Sequence, residues 1–171
     1  VPLLSGAGQM RAVGRIAGVM ALGTVVREKV AEAFSDCDAG GPDLQRLSKH
    51  LGISVPPGTP VPSPMVVVLG SMAGGTGAGI LLDVVDLIRR TDLRGAFPIA
   101  VIFTADIFNA PDDHAMAANG LAMMSELMSA YWDTEISHDK LIPTQVKLDN
   151  RGPHSTFLIG RKNLRGIDLE D

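Results

Sequence analysis

At 171 residues, 46% hydrophobic and 20% charged, the chain is long enough to bury a core of its own and reads as a globular domain rather than a disordered or fibrous one. Its formal charge of -4 excludes a general electrostatic grip on nucleic acid, and it holds no apolar run of bilayer-spanning length. The first ten residues lack the basic start and apolar stretch of a signal peptide, and a lone Cys37 fits a reducing compartment, which makes the cytoplasm the default location.

In chain order, apolar residues at Val13, Ile16, Ala17, Met20, Val26, Val30 and Phe34 recur near a 3.6-residue period and predict a long helix over residues 9–34. Gly14, Gly18 and Gly23 lower its propensity but permit close approach of another element. Residues 35–42 (SDCDAGGP) are expected to end it, and DLQRLSKHL to form a short surface helix closed by Gly52. Residues 55–64 (VPPGTPVPSP) read as an extended connector within one domain. MVVVL is a short continuous apolar run, expected as a parallel strand buried on both faces. A glycine turn then opens the helix GILLDVVDLIRR, whose terminal Arg89 and Arg90 suit the helix dipole. FPIAVIFTA is a second buried strand, so the strand–helix–strand order predicts a parallel pair. An Asp-rich loop, a helix over about 114–131, a third strand at 155–160 and a frayed charged end follow, with a further strand expected near Val146. The fold class is α/β.

The turn GSMAGGTGAG carries the chemistry. A helix that starts at the carboxyl end of a parallel strand aims unpaired N–H groups at the turn and favours anions, phosphate above all. Glycines let oxygen atoms approach the main chain, and Thr76 adds a hydroxyl. The alternative reading of the same glycines is a tight turn packed against a neighbour. Generic phosphate motifs fail here. G-x-G-x-x-G begun at Gly75 needs a glycine at Ile80, and begun at Gly77 needs one at Leu82. A Walker loop needs a lysine that this stretch lacks, and a G-x-S-x-G elbow around Ser71 needs a glycine at Leu69.

AGGTGAG at residues 73–79 resembles the G-G-G-T-G-S/T-G signature of the tubulin and FtsZ superfamily. Gly74, Gly75, Thr76 and Gly77 are kept, while Ala73 and Ala78 depart from it. SGAGQMRAVGRIA at 5–17 looks like the upstream Gly-Ala-Gly loop and helix of the FtsZ branch, and NGLAMMSEL at 119–127 like the tubulin helix whose asparagine contacts guanine. The resemblance implies a Rossmann-like, parallel-sheet nucleotide-binding domain of the divergent bacterial tubulin-like kind, binding GTP or GDP with Mg²⁺ held through the phosphates. It implies phosphate contacts from Gly6, Ala7, Gly8, Gln9, Ala73, Gly74, Gly75, Thr76 and Gly77, with Arg11 or Arg15 adding charge. It further implies a base contact from Asn119, and Asp112 or Asp113 is the candidate ribose contact.

The family begins with a strand and glycine loop ahead of this match and continues into a central helix and an acidic hydrolysis loop beyond it. Residues 1–171 are therefore expected to be a partial GTPase domain, incomplete at both ends, with a proline-rich insertion at about 35–64. Catalysis is not assigned to the chain by itself. The parent is expected to self-associate head to tail and to hydrolyse GTP at the subunit interface. Two rivals stay open: a tubulin-like scaffold without turnover, which the alanine departures leave room for, and a nicotinamide-dependent oxidoreductase using Asp106. Asp83 and Asp86 read as exposed charges, Met116, Met123, Met124 and Met128 as core filler, and Asp112, Asp113 and His114 as a solvated helix start rather than metal ligands.

Overall fold

The computed structural model describes residues 7–54, 56, 65–90, 96–108, 114–132, 152–162 and 165–168. The predicted first helix is helix α1, Arg11–Ala21, which passes through one π-helical turn, Leu22–Val26, into α2, Arg27–Ala39. The helical run therefore continues through the stretch expected to end it. It breaks only at Gly40, and α3, Gly41–His50, restarts with Pro42 in its first turn, where a missing N–H costs nothing. Gly52, at φ 69°, closes α3 as expected. Of the proline-rich connector only Pro56 belongs to the described residues, and the position of the expected strand near Val146 lies outside them.

Three parallel strands form one sheet in the order β1, Met65–Ser71; β2, Phe97–Phe103; β3, Ser155–Ile159. Helix α4, Gly75–Arg90, follows β1, and α5, His114–Trp132, follows β2 after a 3₁₀ turn, Ala105–Phe108. Register pairs Val68 with Ala100 and Gly70 with Ile102, so these residues share the face on which α4 and α5 lie. The core is built there from Ala78, Leu81, Val85, Ala100, Ile102, Met123 and Leu127. A side chain at Gly70 would collide with Leu81, so the glycine lets α4 lie flat on β1.

Burial on both faces is not observed. Met65, Val67 and Leu69 on β1, Phe97 on β2 and Phe157 on β3 are exposed among the described residues. A continuous apolar run states that a strand avoids polar residues; it does not state which of its two faces another element covers.

Other expectations are corrected by packing. Asp83 and Asp86 are both buried: Asp83 pairs with Arg15 at 3.1 Å, and Asp86 with Arg90 at 2.8 Å. Burial of such carboxylates is tolerable only with cationic partners, and the arginines supply them. Met123 is wholly buried and Met124 packs on the core, but Met128 is exposed. The chain end is not simply frayed: Lys162 and Asp168 form an antiparallel bridge, and the Arg161 guanidinium grips the Asp168 carboxylate at 2.7 and 2.9 Å. No helix among the described residues is long and apolar enough to cross a membrane.

Candidate nucleotide site

Helices α1 and α4 run side by side in the same direction. Gly14 meets Gly75 and Thr76, Gly18 meets Ile80, and Leu22 packs with Leu87 one stage further on. The approach is main chain to main chain. A Cβ on Gly14 would stand 2.3 Å from the Gly75 oxygen, and one on Gly79 would stand 2.8 Å from the Arg11 oxygen and the Arg15 nitrogen. Only glycine fits at those points.

This parallel packing brings two helix starts together. The Gly75 N–H donates to the Gly8 oxygen at 2.7 Å, joining the loop before α1 to the glycine turn before α4. Gly8 adopts φ 55°, a left-handed conformation that glycine takes without strain. Met10, at the N-cap of α1, makes no side-chain capping bond, and neither α1 nor α4 carries an acidic residue in its first turn. Two parallel helix dipoles thus start together with no acidic residue in either first turn, an arrangement that favours an anion.

The turn itself is tightly built. Met72 N–H extends the ladder to the Phe103 oxygen at 2.9 Å, and Ala73 N–H donates to the Ser71 hydroxyl at 3.0 Å. Gly75 is committed to Gly8. Among the described residues, the amides of Gly74, Thr76 and Gly77 have no such partner, which leaves them as the donors the turn has to offer. Thr76 is exposed, and a Cβ at Gly74 or Gly8 would meet nothing within 4 Å among the described residues. Both readings of the glycines therefore hold, at different residues: Gly75, Gly77 and Gly79 make room for the protein, whereas Gly8 and Gly74 border open space.

Asn119, on α5, is brought to the same point. It is buried, and its side-chain nitrogen donates to the Gln9 oxygen at 2.9 Å and the Ala73 oxygen at 3.0 Å. Ala73 thus has both main-chain polar groups engaged within the protein, and the Ala7 side chain is buried while its oxygen accepts from Met10 N–H. Gly6, Asp112 and Asp113 lie outside the described residues.

The expectation that Arg11 or Arg15 adds charge to the site is corrected. Arg11 donates to the Ala78 oxygen at 2.9 Å and pairs with Glu126; Arg15 reaches both Asp83 and Glu126. These side chains brace α1 against α4 and α5. Sequence reasoning missed this network because Glu126 carries no local mark of its partners; only its spacing of seven from Asn119, which puts the two on one side of α5, was readable.

At the end of β2, Asp106 accepts from the Thr104 hydroxyl and from Arg161 N–H at 3.0 Å. The Thr104 hydrogen bond, aided by the Arg161 amide, holds its carboxyl below the ordinary carboxylate pKa against the opposing effect of desolvation. The group ties β2 to the segment after β3.

A parallel α/β sheet whose strand ends carry two adjoining glycine loops and two helix starts defines a Rossmann-like nucleotide-binding domain. A family model described as tubulin-like matches residues 1–171, and the chain belongs to that family, whose general property is GTP binding. No curated protein and no solved structure matches the chain.

Proposed function

We propose that this protein binds GTP, with the polyphosphate seated on the amides of Gly74, Thr76 and Gly77 and against Gly8. The observation that carries the reading is the Gly75–Gly8 hydrogen bond, which sets two helix starts around one open rim. The Thr76 hydroxyl adds a further donor, and main-chain dipoles take the part that a lysine plays in other phosphate loops. Gly6 and Gln9 extend the phosphate loop, and Asp112 or Asp113 contacts the ribose. Mg²⁺ enters with the phosphates, held by them and by water, as a small hard cation that keeps several of its waters commonly is. Ala73 and Ala78 are both buried, so these departures from the family signature alter packing and leave the turn's donor amides in place. That favours nucleotide binding over a scaffold that has lost it. The parent protein assembles head to tail and hydrolyses GTP between subunits.

Calorimetric titration of the full-length protein with GTP, ATP and NAD tests the reading. Binding of GTP in preference to ATP, without NAD binding, is expected. Binding of NAD alone, or of no nucleotide, overturns it. Light scattering on addition of GTP then tests assembly.

A further inference from the structure

Asn119 has an arrangement that contact with a base does not require. Both acceptors of its side-chain nitrogen, Gln9 O and Ala73 O, are main-chain carbonyls, so the amide must present nitrogen to them and both of its protons are committed. The two carbonyls belong to two different loops. Gln9 follows Gly8, and Ala73 stands two residues before Gly75, the pair already joined by the 2.7 Å bond. One hydrogen bond between loops is a pivot. Adding a rigid planar amide that grips each loop beside that pivot closes a ring of bonds and fixes the gap. Two turns along α5, Glu126 pairs with Arg11 and Arg15, so the same helix also holds the start of α1 in place.

We propose that Asn119 is a positioning residue that sets the spacing of the 7–10 loop against the glycine turn, and so the aim of the amides of Gly74, Thr76 and Gly77. Its consequence for nucleotide rests on the phosphate-binding reading above; its consequence for the loops does not. The role differs from the guanine contact that the family resemblance implies. With both donors committed, Asn119 has only its carbonyl oxygen to offer a base, whereas its loss frees both loops at once. Preorganised donors bind an anion well because they need no rearrangement when it arrives, so loosening them weakens every polyphosphate alike.

Asn119→Asp keeps the shape and removes both donors, and Asn119→Ala removes the group. The first readout needs no nucleotide: hydrogen exchange of the Gly75 amide, whose acceptor is Gly8, measured against the Ala100 amide of the central strand. In both variants Gly75 exchange is expected to accelerate roughly tenfold more than that of Ala100, the effect of losing two ordinary hydrogen bonds locally. Acceleration of Gly75 no greater than that of Ala100 overturns the clamp and marks any effect as global. The second readout is the affinity of the full-length protein for GTP, ITP and inorganic triphosphate. Weakening of all three by a similar factor, with the GTP-to-ITP ratio kept, supports positioning. Collapse of that ratio with triphosphate binding unchanged assigns Asn119 to the base and overturns the proposal. If the unaltered protein binds none of the three, the phosphate reading fails, while the exchange measurement still decides the clamp.

Discussion

The seam between α1 and α4 and the rim at its end use the same residue type for opposite purposes. Along the seam, glycines at 14, 75 and 79 remove side chains so that two main chains can touch. At the rim, Gly8 and Gly74 remove side chains where none of the described residues lies within reach. Glycine density alone therefore does not distinguish a ligand from a close-packed neighbour; what lies where the missing Cβ would be does.

The comparison is sharpest at Gly14. Gly14→Ala drives a methyl into the Gly75 oxygen, and main chain cannot swing aside as a flexible side chain can. A loss of roughly 1–3 kcal/mol is expected despite alanine's better helix propensity, read as a lower denaturation midpoint at unchanged slope. A neutral effect would mean the seam is looser than described. Gly74→Ala is the counterpart: its methyl enters open space, so stability should stay within about 0.5 kcal/mol. Affinity for GTP should fall by roughly tenfold, as expected where the loss of an approach to charge-assisted donors costs about 1.4 kcal/mol. Equal effects at Gly14 and Gly74 on both measurements would erase the distinction.

The smallest effect concerns the strand ends beside the rim. The Asp106 pKa is lowered in the folded state, first by Thr104, so the folded protein binds that proton less readily than the unfolded chain. Its contribution is fully present above the unfolded carboxylate pKa and is lost as pH falls through the lowered folded value. Asp106→Asn should therefore flatten the acid limb of the stability profile below about pH 4 and leave its slope near neutrality unchanged. A variant whose profile parallels the original throughout would show that the Thr104–Asp106–Arg161 link does not hold the strand ends.

Much of the fold was legible because its signals are local. The strand runs at 65–71, 97–103 and 155–159, the helix after the glycine turn and the helix from His114 all follow from apolar runs, period and breakers. Residues 35–39 were misread because Ser, Asp and Gly mark ends only on average, and α2 absorbs them before Gly40 breaks it. The charged groups were misread more often. Asp83 and Asp86 look like surface residues in any single-sequence pattern, yet arginines at positions 15 and 90 make their burial tolerable. The candidate site was visible as a glycine turn and a likeness, but its wiring was not. The bonds from Asn119 to Gln9 and Ala73 span residues far apart in the chain, and no period or spacing encodes them.

Local chemistry alone settled that a buried-type strand feeds a helix through a turn almost free of side chains, since backbone conformation and helix starts depend on neighbouring residues. Tertiary packing alone decided which glycines of that turn face open space, which arginines serve as braces, and which side of the sheet is covered. Those outcomes depend on what arrives from distant parts of the chain, because a hydrogen bond or a van der Waals contact acts over a few ångströms of space and is indifferent to separation in sequence.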